Sequence, residues 1–376
     1  MLKKILTLCF IISSIFLFSQ SPPDTLWTRT YDQGEGRSVI EVESGGYITV
    51  GNEIESASYY MHYQKTDENG DILWSHTIFN DSFGHASYIE QLNPEVFLFT
   101  GTLSDHAVLL GLRDSGDAVG LGVFEDDDLS IGNSVAIADD NTFAIAAEGV
   151  EGYVIRTDGS GNQLWFCSYP DQSNIWGWID NSSCMDIEFL NNGEIMISGD
   201  VEYPYVDEYW HDSYLIKADS EGNEIWYISF GGSYYTKFVV TDEEEFVMIV
   251  DYDNLVKISS EGELIWESDD LGFMITSIIK DSLSDDSCYF VAGHQYNDYN
   301  PHLAKIDDNG NIVWNHTYIT GTTDNIYDLK RTSDEGFILT GSSNDHLYLI
   351  KLGQENAVDG EILPNKYSIH NSPNPF

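Results

Sequence analysis

Tryptophan recurs in this chain with a fixed antecedent. Five tryptophans follow a glycine by four positions: Gly70 to Trp74, Gly161 to Trp165, Gly222 to Trp226, Gly262 to Trp266 and Gly310 to Trp314. Nine residues ahead of each stands a basic residue, Lys65, Arg156, Lys217, Lys257 and Lys305. Two weaker copies extend the series. Arg113 precedes Asp114-Ser115-Gly116 with Gly120 or Leu121 in the tryptophan's place, and Lys351 opens a last copy with no tryptophan after it. Of the sixteen Lys and Arg residues, fourteen remain once Lys3 and Lys4 of the leader are set aside, and seven of these occupy this one repeat position. Chance does not concentrate scarce cations in that way.

Each copy carries the same segments in the same order. A short β-rich run such as Ser38 to Val42, Met185 to Leu190 or Ile326 to Lys330 comes first. A second run ends in a small residue, as in Tyr47 to Gly51, Phe97 to Gly101, Ile195 to Gly199 and Phe337 to Gly341. The basic residue and the tryptophan mark the third and fourth runs. Segments this short, punctuated by Gly, Asn and Asp, read as strands and not helices. Tryptophan spacings of 47, 61, 40 and 48 residues, with 91 spanning two copies, are the length of a four-stranded propeller blade. The expectation is an all-β, seven-bladed β-propeller, with eight blades as the alternative if the long fourth copy hides another.

The chain ends fit that reading. Leu26 to Tyr31, containing Trp27, reads as an outer strand without inner strands, whereas the last copy lacks an outer strand. The N-terminal strand is therefore expected to complete the final blade and close the ring. Residues 1–20 read as a signal peptide, with basic Lys3 and Lys4, an apolar run from Ile5 to Phe18, and small residues at Ser19 and Ser21. The propeller is expected over 21–354, and 355–376 as a linker with the start of another domain.

Composition narrows the partners. With 63 acidic against 16 basic residues, the exterior repels phosphate backbones and anionic lipid, which argues against nucleic-acid or membrane-surface binding. No later segment is apolar for long enough to span a bilayer. After leader removal the cysteines are Cys167, Cys184 and Cys288, and an oxidising compartment permits a Cys167–Cys184 bridge. A monomer is expected.

Chemical motifs are sparse. Asp67-Glu68-Asn69-Gly70-Asp71 and Asp307-Asp308-Asn309-Gly310-Asn311 space oxygen ligands as calcium loops do, but the glycine is too early and no distal Glu follows, so a tight hairpin turn is expected and no metal. The repeated cations Lys65, Arg113, Arg156, Lys217, Lys257, Lys305 and Lys351 are expected to pair with carboxylates. The tryptophans Trp27, Trp74, Trp165, Trp226, Trp266 and Trp314 are expected to pack between blades. This tryptophan-after-glycine pattern resembles the docking tryptophans of pyrroloquinoline-quinone-type and WD40-like propeller repeats. The enzymes of the quinone group add a vicinal cysteine pair and a calcium-bound Asp. The chain has no Cys-Cys pair, so the resemblance implies the fold and no cofactor. Thr332 to Gly336 is similar to a sialidase Asp-box, with Leu339 where its tryptophan belongs. No nucleophile elbow, metalloprotease helix or phosphate loop is present, and no enzyme is expected.

Two segments carry the binding expectation. The fourth copy is long, and its extra residues read as two loops, Ser168 to Asn181 with Tyr169, Trp176 and Trp178, and Asp200 to Asp212 with Tyr203, Tyr205, Tyr209 and Trp210. Together they are expected to form an aromatic platform for an extracellular glycan or protein. Ser372-Pro373-Asn374-Pro375-Phe376 resembles the opening of the C-terminal sorting domain of type IX secretion, found in Bacteroidetes-like bacteria. That resemblance implies passage through the periplasm of a Gram-negative bacterium to the outer surface or medium, with the type IX machinery as a partner, and a further β-rich domain after Phe376. The expected function is a secreted or cell-surface binding module, with an envelope assembly scaffold and a cryptic glycan hydrolase as alternatives.

Overall fold

The structure is a computed structural model, and it describes residues 20–56, 58–79, 83–124, 129–149, 151–169, 181–205, 208–232, 236–283 and 287–357. Residues 1–19, residues 358–376 and the segment bearing Trp176 and Trp178 lie outside them, as do the side chains of Tyr205, Tyr209 and Trp210. Among the described residues the regular structure is entirely β.

Strands pair antiparallel in sets of four, in chain order from inner to outer. In the first set the inner strand is the latter part of Thr25–Glu41, followed by Tyr47–Glu55, Ser58–Thr66 and Ile72–Ile78. The same order starts again from inner strands Gly84–Asn93, Leu129–Ile137, Asn181–Phe189, Phe238–Val240 and Met274–Lys280. The set that starts at Asp324–Arg331 continues with Phe337–Ser343 and His346–Leu352, and its fourth strand is the first half of Thr25–Glu41. Sequence separates Leu26 to Tyr31 from Ser38 to Val42; the structure joins them in one 17-residue strand shared by two sets.

Burial explains the composition of each strand. Second strands such as Phe246–Val250 and Phe337–Ser343 are buried along their whole length, because each set is covered on both faces. Apolar clusters accordingly lie between neighbouring sets. Ile48, Val50 and Met61 pack with Ile89, Phe97 and Phe99, while Phe290, Leu303 and Trp314 pack with Ile326, Phe337 and Leu339. Val39 and Tyr47 of the first set meet Ile338, Leu347 and Leu349 of the last, with Trp27 and Tyr31 against them. Truncating one of these buried aliphatic side chains to Ala should cost about 2–5 kcal/mol.

The repeat residues join one set to the next. Asp67 Oδ1 accepts the backbone N–H groups of Asn69 and Asp71 at 2.8 and 2.9 Å, and Gly70 takes φ +81°, so these residues form a tight turn. Asp158, Asp219 and Asp307 cap their turns identically. The glycine of each turn makes room for the tryptophan of the preceding set. A Cβ on Gly116, Gly222, Gly262 or Gly310 would come within 3.1 Å of Trp74, Trp165, Trp226 or Trp266, and one on Gly70 within 2.9 Å of Trp27. The indole N–H groups of Trp27, Trp74, Trp226 and Trp266 donate to the carbonyls of Glu68, Asp114, Ser260 and Asp308. Trp314 donates instead to the Glu355 carboxylate at 2.8 Å.

The basic position is a buried cation with carboxylates. Lys65 pairs with Asp114 at 2.5 Å, Lys217 with Glu194 at 2.7 Å, Lys257 with Asp308 and Glu245 at 2.6 and 2.8 Å, and Lys351 with Asp334 at 2.9 Å. Lys305 bridges Asp281 and Glu355 at 3.0 Å each. Arg156 lies 4.0 Å from Asp140, over the Phe189 ring. Arg113 does not share this position. Its N–H and carbonyl bond Asp117 and Gly116 as those of Asp67 bond Asp71 and Gly70, so it starts the turn with an exposed side chain. Gly111, opposite Leu98 as Lys65 is opposite Ile48, stands where the cation would be.

Candidate functional site

The inner strands converge on a common cavity because they share a distortion. Each of six carries a register shift at the same place, leaving Arg37, Ser87, Asn133, Met185, Thr276 and Tyr327 unpaired beside Ser38, Tyr88, Ser134, Asp186, Ser277 and Asp328. A β-bulge re-aims side chains locally. Here it separates two chambers. The bulge residues line a smaller one of about 300 Å³, and of the residues after them Tyr88, Asp186, Ser277 and Asp328 line a larger one of about 630 Å³. Lys237 lines both.

The larger chamber holds a charged network. Asp328 accepts hydrogen bonds from Ser38 Oγ at 2.8 Å, the Val39 N–H and Ser277 Oγ at 3.2 Å, and Lys237 Nζ at 3.5 Å. Burial alone would raise its pKa, but Lys237, Lys330 and these donors hold the carboxyl below its ordinary range. Lys330 donates to Tyr88 Oη at 3.2 Å and stays charged, since Tyr88, Asp328 and Glu90 outweigh its burial. Asp186 accepts from Ser134 Oγ at 2.8 Å, and burial pushes its pKa up. Glu188 is pushed to about 7 by burial and by the charges of Asp186 and Glu90. At neutral pH it can therefore give or take a proton.

The smaller chamber has the opposite character. No carboxylate lines it, whereas Arg37 and Lys237 do. Arg37 pairs with Glu35 at 2.6 Å behind the wall and stacks 4.3 Å over the Tyr327 ring. His85, Ser87 and Thr236 line this chamber, and their Nδ1, Oγ and Oγ1 are buried and make no hydrogen bond among the described residues. Burial and Arg37 push His85 down to about 4, so its imidazole is neutral.

An aromatic cluster leads out from His85. The Phe83 ring is 5.1 Å from the His85 ring and 5.5 Å from Tyr59, and Tyr60 is 5.0 Å from Phe79. Tyr59, Phe79 and Phe83 are 39%, 62% and 42% exposed. Tyr59 and Tyr60 open a third strand whose hairpin turns through Ser56 at φ +53°, and Phe83 stands just before the next inner strand.

The expected platform in the fourth copy is not assembled as read. Tyr169 is only 2% exposed, sits in a core cluster and donates its hydroxyl to the Gly222 carbonyl. Tyr203 packs on the same core beside Tyr227. Asp200 to Asp212 is no loop: Ile195–Tyr205 and Glu208–Ala218 extend as a hairpin, with Tyr203 opposite Trp210 and Tyr205 opposite Glu208. Antiparallel pairing satisfies backbone that a loop would expose, so the chain extends the sheet. The Cys167–Cys184 bridge is also absent. Both are free thiols, Cys184 Sγ lies 3.2 Å from Tyr214 Oη, and Cys167 faces the Gly222 turn. Trp176 and Trp178 lie outside the described residues.

The cavity residues were accessible to sequence reasoning by one route. Ser38, Tyr88, Ser134, Asp186, Lys237 and Asp328 each stand thirteen positions ahead of the small or apolar residue ending the second run, Gly51, Gly101, Ala147, Gly199, Val250 and Gly341. Aligning on that residue puts Asp186, Lys237 and Asp328 in one ring and Glu90, Glu188 and Lys330 in a second, two positions later. The ring pairs Tyr59–Phe83 and Tyr60–Phe79 have no comparable signal, because their members come from separate segments.

No family model matches the chain, and neither does any curated protein. Solved structures do. The chain is similar to BBS1N, solved in complex with ARL6DN, at 11% identity and a TM-score of 0.59 over 90% of this chain and 99% of that one. It is similar to BamB from Moraxella catarrhalis at 13% identity and a TM-score of 0.50 over 88% and 100%. A protein of unknown function from Bacteroides caccae matches at 13% identity and a TM-score of 0.46 over 66% and 82%. The fold is β-propeller-like.

Proposed function

We propose that the chain is a non-catalytic binding module, built as a seven-bladed β-propeller closed by its N-terminal strand. The reading takes each four-stranded set as a blade, with Thr25–Glu41 serving the first and the last. The long hairpin of the fourth set absorbs residues that an eighth blade would need. A leader at 1–20 and the Ser-Pro-Asn-Pro-Phe ending support export through the periplasm to the outer surface or medium by the type IX route. The reading includes a monomer without a cofactor.

The observation that carries binding is the exposed aromatic cluster that runs into a polar chamber through His85. Exposed rings beside convergent polar groups are the make-up of a ligand site. The test is a glycan array and an envelope-protein pull-down with the secreted chain, repeated with Phe83→Ala. Capture that depends on Phe83 supports the module; capture indifferent to it moves the site elsewhere. Glycan hydrolysis is a second reading, favoured by Glu188, whose raised pKa beside Glu90 suits a general acid. Release of reducing ends by the wild type and not by Glu188→Gln would establish it over binding alone.

A further inference from the structure

We infer that the smaller chamber takes the carboxylate-bearing sugar at the end of an acidic glycan, a terminal uronate. The inference rests on the binding-module reading and names its ligand.

Charge supplies the first argument. The chain carries a net charge of −47, yet this chamber presents Arg37 and Lys237 and no carboxylate. Arg37 is paired with Glu35 and Lys237 with Asp328, neither of which lines this chamber. Guanidinium and ammonium groups carry more N–H donors than those pairs use, so a single negative charge that reaches the chamber meets donors and no carboxylate. The surrounding acidic exterior repels a polyanion, so a nucleic acid or a densely charged polysaccharide is disfavoured where one terminal carboxylate is not. Arg37 is suited to the bidentate geometry of a carboxylate.

The neutral groups supply the second. Buried polar atoms in folded proteins nearly always have a partner. Thr236 is 1% exposed, and its Oγ1, with Ser87 Oγ and His85 Nδ1, has none among the described residues. Two hydroxyls and a neutral imidazole can each donate or accept, which matches the ring hydroxyls of a sugar. A volume of about 300 Å³ accommodates one sugar residue and not two. The following residues of the glycan would lie on Phe83 and Tyr59 outside, whose faces suit the C–H surface of a pyranose.

Calorimetry on the secreted chain tests this with glucuronate- and galacturonate-terminated disaccharides, a glucose-terminated disaccharide and a tripeptide with a free C-terminus. At least one uronate probe should bind about tenfold tighter than the neutral one, with affinity falling as salt rises. Arg37→Gln should erase that preference. Thr236→Val, which keeps the shape, should weaken binding by about tenfold while leaving the melting temperature near wild type. Equal binding of the neutral disaccharide, tighter binding of the tripeptide, no effect of Thr236→Val, or no binding of any probe each overturns the uronate assignment. The module reading survives the first two and the third, since a ligand is still held. It fails with the fourth if array and pull-down are also blank.

Discussion

Trp27 lies directly opposite Lys351 in an antiparallel strand pair formed between the two ends of the propeller-like region. The same indole donates to the Glu68 carbonyl at 3.0 Å and packs 5.9 Å from the Tyr47 ring. One side chain near the N-terminus thus bears on the first and the last set together.

Trp27→Ala should therefore destabilise the chain by about 2–4 kcal/mol, seen as a lower urea midpoint. Trp27→Phe should recover part of the loss. Deleting Leu26 to Tyr31 leaves the edge of His346–Leu352 unpaired and should produce aggregation in light scattering. A deletion variant with wild-type stability would remove the argument for closure.

Lys305 is buried between Asp281 and Glu355, themselves buried. Removing the amine in Lys305→Ala strands both carboxylates, and a loss of about 3–5 kcal/mol is expected. A triple variant, Lys305→Met with Asp281→Asn and Glu355→Gln, should regain most of it in chemical denaturation. Failure to regain it would show that the ion pairs are not the source of the loss.

Turn glycines separate strain from collision. Gly193 takes φ +83° with open space around the missing Cβ, whereas Gly222 takes φ +88° with Cys167 and Trp165 at 2.9 and 3.0 Å. Gly193→Ala should cost only the backbone term, about 1 kcal/mol. Gly222→Ala should cost about 1–3 kcal/mol more, because the rigid indole must move. Equal shifts in melting temperature would mean that the tryptophan does not need the glycine.

Asp200 gives a pH-dependent signature. Burial, then Glu148 and Glu202, push it to about 7, with Ser183 and His211 also facing it. Its folded pKa is above the ordinary 3.8, so the folded state holds the proton longer, and stability falls as pH rises from about 4 to about 7. Asp200→Asn should leave stability at pH 4 unchanged and raise it at pH 8 by on the order of 2 kcal/mol. A gain of the same size at both values would point to a cause other than ionisation.

The propeller-like architecture was legible because its signals are local and repeated. A turn glycine, a tryptophan four positions on and a cation nine positions before it survive in copies whose other residues differ. The cations' partners were legible as carboxylates, though not as names such as Asp114 or Glu355, and the rings as packing between copies, though not as covers on the turn glycines. The exposed aromatics of the candidate site were not legible. Tyr169 and Phe83 are both aromatics next to polar linkers, and only the third dimension buries one in the core and exposes the other. Alternation in Tyr203 and Tyr205 did carry the hairpin, but two aromatics two apart beside a proline are too short a pattern to distinguish strand from loop. Cys167 and Cys184 are close enough in sequence to invite a bridge, yet they sit on different four-stranded sets with different neighbours.

Because the tryptophan of one copy covers the glycine of the next, the contact between adjacent sets is encoded half in each. Every copy of the full pattern offers the same socket and the same plug. Excising one copy, or duplicating it in tandem, would return a tryptophan to a glycine at the new junction. The gene can lengthen or shorten without inventing an interface, and the second copy, where Gly120 stands in the plug's place and a Cβ on Gly122 would meet the Gly161 carbonyl at 3.2 Å, shows that one junction can do without the plug while the chain around it keeps its register.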